Sequence, residues 1–278
     1  MDKFEMISVS IVLYKNKLSE IKNKVSYLCS SNLISNVFLV DNSEDPTVTS
    51  KDFTCFDKVT VFSGHGNLGY GRGHNLAFFS TELKSKYHLI VNLDVEFDIV
   101  ILNDIVKYMD NNSDVVQLMP KVLNPDMTIQ RVCKKLPSPS NLIFRRFFSK
   151  SKLFHLINDD YEIKSYDYSY ILDSPYLSGC FMFCRSSSFS NIGGFDERYF
   201  MYPEDIDLTR RMYKIGRTVC YPHVHVIHEH GKASFKSKKM AYIHSVNMIK
   251  YFNKWGWLVD SERAEFNNKI DEFIENNK

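Results

Sequence analysis

Between Met201 and Met212 the chain reads MYPEDIDLTRRM, which puts Glu204, Asp205 and Asp207 within four positions at the start of an apparent helix. Acidic side chains in a first turn favour the helix amino terminus by ~0.3–1 kcal/mol each. One of them could instead accept a proton from a substrate hydroxyl. Leu208, Met212 and Ile215 mark the buried stripe of this helix. Asp205 lies one turn before Leu208 and Thr209, beside that stripe, where it could point into a cleft.

A second acidic group is VNLDVEF. On a strand, alternate residues share a face, so Asn92, Asp94 and Glu96 would stand together. Two carboxylates and an amide suit a hard cation such as Mg²⁺, which takes one or two carboxylates and leaves other positions to substrate phosphates. The competing reading is a polar strand end facing water. CYPHVHVIHEH carries Cys220, His223, His225, His228 and His230. Their spacing matches no common zinc pattern, so one histidine beside an active-site cation fits better than a structural zinc. GHGNLG, Gly64 to Gly69, fits G-x-G-x-x-G. It follows the third strand, whereas a dinucleotide fingerprint belongs in the first strand-to-helix turn. The longer run GNLGYGRGHN allows close backbone approach to a ligand, with Arg72 available to a phosphate. A glycine-rich turn with a helix cap is the alternative.

The elements that must position these residues alternate. ISVSIVLY (Ile7 to Tyr14), NVFLVDNS, KVTVFS, YHLIVNLDVEF (Tyr87 to Phe97) and DVVQLMP read as strands. LSEIKNKVSYLCSS, GYGRGHNLAFFSTEL and IVILNDIVKYMDNN read as helices between them. This order predicts βαβ units, an α/β fold and a mostly parallel sheet. Ligands then belong beyond the carboxyl ends of the strands, at Asp41-Asn42, Gly64 to Gly73 and Asn92 to Glu96. Further on, SPYLSGCFMFCRSSSF reads as a strand, and a helix runs from about Lys238 to Lys254.

The 278 residues suit one large α/β domain with a C-terminal elaboration. Net charge is +2, so any attraction to nucleic acid or lipid must be local. The strongest local candidate is Arg131 to Lys152, seven basic and no acidic residues interleaved with Phe144, Phe147 and Phe148. It suits an anionic membrane surface, or is a solvated loop. No nucleic-acid-binding signature is present. Neither a signal peptide nor a membrane-spanning run is visible, and the six cysteines are scattered, several of them within apolar runs such as CFMFC, so a reduced cytoplasmic protein is expected.

Taken in order, these motifs resemble the family 2 glycosyltransferases, and most closely the bacterial rhamnosyltransferases of O-antigen, lipopolysaccharide and cell-wall assembly. The likeness runs from about Ser8 to Trp257. It is carried by SIVLYKN, VFLVDNS, GNLGYGRGHN, VNLDVEF, the stretch from YLSGCFMF through GGFDERYFMYPEDIDL, VIHEHGKASFKSKK and YFNKWGW. The resemblance implies one GT-A (Rossmann-like) domain over residues 1–278. Its nucleotide-sugar half would be 1–128, and its acceptor half with the C-terminal helices 129–278. It implies an inverting transfer, with L-rhamnose passing from dTDP-L-rhamnose to a lipid-diphosphate-linked saccharide at the inner face of the membrane. By the same likeness Asp41 would meet the base, with Leu13 and Tyr14 beside it. Asn67, Gly69 and Arg72 would line the nucleotide or diphosphate. Asp94, next to Asn92, would be the last carboxylate of a D-x-D motif holding Mg²⁺ or Mn²⁺ with His228, and Asp205 would be the general base. The motif departs from the pattern at Asn92, where a first aspartate is expected. A UDP-sugar donor and a non-catalytic nucleotide-sugar-binding protein are the rival readings, and an oligomer remains open.

Overall fold

The computed structural model describes residues 6–81, 85–141, 152–229 and 238–277. Its centre is a nine-stranded sheet, counted among those residues, with β1 (Ile7–Leu13), β2 (Ile34–Asp41), β3 (Val59–Phe62) and β4 (Tyr87–Val91) parallel in the order β3-β2-β1-β4. β1, β2 and β4 are short apolar runs buried on both faces, as parallel strands between helical layers must be, whereas β3 is a partly exposed edge strand. Leu13 pairs with Asp41, so β1 and β2 end level and their polar continuations meet at one rim.

Beyond β4 the order is β8 (Phe181–Arg185), β6 (Val115–Leu123), β9 (Arg217–His228) and β5 (Val95–Glu96), with β7 (Leu172–Asp173) also on β9. Strands from both halves of the chain therefore share one sheet. β8 runs antiparallel to β4 and β6, whereas β6 and β9 are parallel.

The strand expected from Tyr87 to Phe97 is two strands. β4 stops at Val91, opposite Phe181; Asn92 N–H still donates to Cys180 O, and Val95 N–H turns back onto Asn92 O. β5 then leaves for the far side of the sheet, where Val95 pairs with His228. The alternate-residue rule that grouped Asn92, Asp94 and Glu96 on one face fails across this turn. The turn does something else, which is to deliver Asp94 to His228.

Helices α1 (Leu18–Cys29) and α3 (Ile101–Asn111) cover one face with Ile21, Val25, Leu28, Leu102, Ile105 and Met109. On the other face α2 (Tyr70–Phe79), the short α5 (Ser186–Asn191) and α6 (Glu204–Tyr213) bury Phe78, Phe189, Phe195, Leu208 and Met212. Full burial of such side chains stabilises by roughly 1.5–3 kcal/mol each. Ile215 does not continue the α6 stripe, because the helix ends at Tyr213 and leaves Ile215 exposed. Helix α4 spans Lys152–Tyr161. Two long helices, α7 (Lys238–Trp255) and α8 (Ser261–Asn276), form the C-terminal layer and pack Met248, Tyr251, Phe252 and Phe266 against Ile206. None of the described helices is long and apolar enough to cross a membrane.

A buried polar chain joins β1, β4 and α2. Ser8 Oγ meets His88 Nδ1 at 2.8 Å, His88 Nε2 meets Ser10 Oγ at 2.9 Å, and Ser10 Oγ meets His74 Nδ1 at 2.7 Å. Burial pushes the His88 pKa down to about 3 and the His74 pKa well below its usual value, so both rings are neutral. Below the unfolded pKa of ~6.5 the unfolded chain binds protons that the folded chain refuses, so stability falls as pH falls. Each histidine contributes ~1.4 kcal/mol per pH unit to that slope. Urea unfolding between pH 6 and 5 should show a slope about 1.4 kcal/mol per unit shallower in His88→Asn than in the parent. An unchanged slope would mean that His88 is not buried neutral.

Candidate active site

His228 ends β9, buried. Gln130 places it: Gln130 Nε2 donates to Asn124 Oδ1 at 2.9 Å and to His228 O at 3.2 Å, which turns Gln130 Oε1 toward His228 Nδ1 at 2.9 Å. An acceptor at Nδ1 requires the proton there. In the neutral ring the lone pair is then on Nε2, the atom 3.6 Å from Asp94 Oδ1. Burial lowers the His228 pKa and Asp94 opposes the shift. Two cis ligand atoms at ~2.1 Å from an octahedral ion are ~3 Å apart, so this carboxylate and imidazole fit a divalent cation with little adjustment. Among the described residues no group of three metal-ligating side chains forms. Asp94 itself is half exposed.

The turn that carries Asp94 is pinned by α1. Lys24 Nζ donates to Val95 O, Tyr27 OH donates to Phe97 O at 2.9 Å, and Ile99 N–H donates to Tyr27 OH at 2.8 Å. Burial lowers the Lys24 pKa to about 8, with Glu96 and Asp94 opposing.

Asp205 is the second residue of α6. Its Oδ2 accepts the Gly179 N–H at 3.1 Å and its Oδ1 the Ile206 N–H at 2.8 Å. Gly179 O in turn accepts the Tyr70 hydroxyl at 2.6 Å. A Cβ on Gly179 would stand 3.3 Å from the Tyr70 ring and 3.4 Å from Asp205 Cβ, so glycine keeps this clamp closed. Burial raises the Asp205 pKa against the pull of those backbone donors. Glu204, buried beside it, is raised well above the usual range, by burial first and the Asp205 charge second. Burial thus raises both carboxyls, and the Asp205 charge adds to the shift at Glu204. Glu204 is therefore no solvated helix-start charge. Asp207 is not one either: wholly buried, it binds Arg211, Lys254 and Trp255.

The two ends of the site converge on Tyr70 and Cys180. Burial and the charges of Glu204, Asp205 and Asp94 all raise the Tyr70 pKa, and burial with Asp94 and Asp205 pushes the Cys180 thiol up to about 12. Asn92, half-buried, joins them by its backbone N–H to Cys180 O.

The other expected residues are less direct. Asp41 is fully buried and accepts N–H bonds from Ser43, Thr47 and Val48 at 2.9, 2.6 and 3.1 Å. It builds the 42–48 loop and presents no surface to a base. Leu13 is buried, and its carbonyl holds Asn42 N–H; Tyr14 is exposed beside it. Asn42 Nδ2 donates to Gly69 O at 2.9 Å, tying this rim to α2. Gly69 has φ +85°, and a Cβ there would lie 2.2 Å from Phe200 O. Its missing side chain admits the Phe200 backbone. Gly73 likewise admits Val12. Asn67 is exposed, and its Oδ1 accepts the Gly69 N–H. Arg72 is exposed on α2, 3.3 Å from Glu197.

His223 and His225 alternate on the exposed side of β9, away from buried His228; His230 lies outside the described residues. Three of the seven basic residues in the stretch are structural. Arg131 donates to Ile163 O and Tyr166 O, Lys134 pairs with Glu162, and buried Lys135 pairs with Asp160 and Asp271. Phe144 to Lys150 lie outside the described residues. Gln130, Tyr70 and Gly179 were not anticipated; only their packing marks them.

Among solved structures, GalNAc-T7 with UDP, GalNAc and Mn²⁺ matches with a TM-score of 0.59 at 13% identity, over 83% of this chain and 45% of that one. The mannosyltransferase PcManGT from Pyrobaculum calidifontis, in complex with GDP-Man and Mn²⁺, matches with a TM-score of 0.56 at 15% identity, over 88% and 64%. The chain has the GT-A fold. Sequence likeness adds to this GT-A assignment. Residues 160–233, which hold Asp205 and His228, match the family model described as the N-terminal domain of galactosyltransferase. An N-acetylglucosaminyl-diphospho-decaprenol L-rhamnosyltransferase of Mycobacterium tuberculosis is 50% identical over 54 residues, 19% of this chain and 18% of that protein. The low-salt glycan biosynthesis hexosyltransferase Agl10 of Haloferax volcanii is 25% identical over 208 residues, 74% of this chain and 61% of that protein. The chain thus spans less than two thirds of either relative. The matches, in sequence and structure alike, are to glycosyltransferases, as the order of the motifs implied.

Proposed function

We propose that this GT-A protein is an inverting glycosyltransferase. The observation that carries the reading is the carboxyl pair at the start of α6: Asp205, beside buried Glu204, with its two oxygens held by the Gly179 and Ile206 N–H groups. A carboxylate so held accepts the proton of an acceptor hydroxyl while that oxygen bonds to the anomeric carbon and the nucleoside diphosphate departs from the opposite face. The raised Asp205 pKa brings its basicity nearer the working pH. Asp94 and His228 Nε2 would hold a divalent cation, Mg²⁺ or Mn²⁺, whose charge compensates the leaving diphosphate. Gln130 fixes the histidine tautomer that this requires.

The likeness to the M. tuberculosis L-rhamnosyltransferase supports L-rhamnose as the transferred sugar and a lipid-diphosphate-linked saccharide as acceptor; the proposed donor is dTDP-L-rhamnose, and the proposed place of work is the inner membrane face. With Asp41 folded inward, the exposed side chains left to meet the nucleotide are Tyr14, Asn67 and Arg72. A nucleotide-sugar-binding protein without turnover is the second reading, favoured by Asn92 in place of a first aspartate. A thermal-shift panel of dTDP- and UDP-sugars, with and without Mn²⁺, tests the donor. At 100 times Kd the true donor stabilises by ~2.7 kcal/mol, and the shift should need the metal and vanish in Asp94→Ala. No shift with any nucleotide sugar would end the proposal.

A further inference from the structure

Among the described residues, the outer face of α7 and the turn after it are apolar, basic and exposed. Leu258 and Val259 are 90% and 88% exposed, with Trp257 beside them and Tyr242 and Ile249 exposed along α7. Residues 242, 246, 249 and 253 follow helical spacing, so Tyr242, Val246 and Ile249 lie on one stripe that runs toward the 257–259 tip. The tip is braced rather than loose. Trp257 Nε1 donates to Asn253 Oδ1 at 2.8 Å, and the Trp257 ring meets Phe252 at 5.2 Å. Gly256, at φ +104°, makes the turn; a Cβ there would strike Val259 O at 2.4 Å. The fold thus spends contacts on holding two aliphatic side chains outward.

Charge selects the partner. From Lys238 to Val259 the chain has four lysines, Lys238, Lys239, Lys250 and Lys254, and no aspartate or glutamate. Lys238, Lys239 and Lys250 are exposed, while Lys254 turns inward to Asp196 and Asp207. The next acids along the chain, Asp260 and Glu262, are held by Arg210 and Lys214. A two-fold self-contact through this face would set lysine against lysine. An anionic lipid surface complements it instead: lysines at the headgroups, Trp257 and Tyr242 at the polar–apolar boundary, Leu258 and Val259 in the acyl region.

We propose that this face is a membrane-docking surface for anionic lipid. It lies next to the candidate site. From the inner side of α7, Asn247 Nδ2 donates to Met201 O at 2.9 Å and the His244 ring meets Tyr202 at 5.3 Å, on the segment that leads into Asp205. Docking would hold the start of α6 about one helix diameter, ~10 Å, from the lipid. This is where a lipid-tethered acceptor would present its hydroxyl, although docking itself does not depend on sugar transfer.

The test is co-sedimentation of the full chain with vesicles of phosphatidylcholine alone and of phosphatidylcholine mixed with phosphatidylglycerol. The protein should bind the anionic vesicles, lose binding in high salt, and shift its tryptophan emission to the blue as Trp257 leaves water. Leu258→Ser with Val259→Ser, and separately Lys238→Glu with Lys239→Glu, should each weaken binding by about tenfold or more. These side chains are exposed, so thermal melting should change little. Equal binding by both double variants would locate the contact elsewhere and overturn the proposal. So would no vesicle binding by the parent, or a concentration-dependent dimer that the Leu258→Ser, Val259→Ser variant abolishes while vesicle binding stays absent.

Discussion

Asp205→Asn should lower turnover by ~10²–10⁴-fold while donor affinity stays near that of the parent. The amide keeps the shape of the carboxylate but cannot accept the acceptor proton. Gly179 N–H and Ile206 N–H now donate to separate carboxylate oxygens, and an amide supplies only one acceptor. A local stability loss of about 1 kcal/mol should accompany the change, too small to unfold the domain. The pH profile separates a lost base from a disturbed structure. In the parent, the active form is ionised Asp205, whose pKa is raised above 3.8 by burial. Turnover should therefore fall as pH drops, from a higher pH than an ordinary aspartate would give. That acid limb should be missing from the residual activity of Asp205→Asn. An Asn variant with full turnover, or one that keeps the acid limb, would remove Asp205 from the base role.

The second large effect is structural. Asp207→Ala should cost ~3–5 kcal/mol, because it strands charges around a buried carboxylate. Asp207 has no exposed surface. It accepts Arg211 Nε at 2.8 Å, Lys254 Nζ at 2.6 Å and Trp255 Nε1 at 2.8 Å, and so ties α6 to the end of α7. Arg211 keeps the Ile192 and Gly194 carbonyls and Lys254 keeps Asp196, which favours the lower half of that range. Against a total of ~5–15 kcal/mol this is a large fraction. Urea unfolding should show a lower midpoint at unchanged m. A loss below about 1 kcal/mol is what a helix-terminus charge gives, and it would show that the buried hub contributes little.

How much of this was legible beforehand depended on the range of each interaction. β1 to β4 with α1 and α2 could be read because apolar periodicity is local. β8 reads as a strand, but its antiparallel insertion between β4 and β6 is set by partners more than 60 residues away in sequence. The same distance hid the break after Val91, since the turn exists to bring Val95 to His228. Helix α8 went unread although Phe266, Ile270 and Ile274 recur at four-residue spacing behind an Asp260 cap. There the signal was present, in a stretch rich in charge. The order of motifs pointed to Asp94, Asp205 and His228. It could not show that Glu204 is buried, that Asp41 folds inward, or that Gln130 sets the His228 tautomer. Those properties come from burial and from hydrogen bonds closed only by the fold. At Gly69 the sequence could not show that the glycine also makes room for the Phe200 backbone.

The central claim is that α6 and the Asp94–His228 pair work on one nucleotide sugar. It is tested most directly by following release of nucleoside diphosphate from dTDP- and UDP-sugars, supplied with a lipid-linked saccharide acceptor and Mn²⁺. One donor should be consumed, with EDTA, Asp94→Ala and Asp205→Asn each suppressing the reaction. A folded protein that consumes no donor under these conditions, or one whose turnover survives all three changes, would contradict the account.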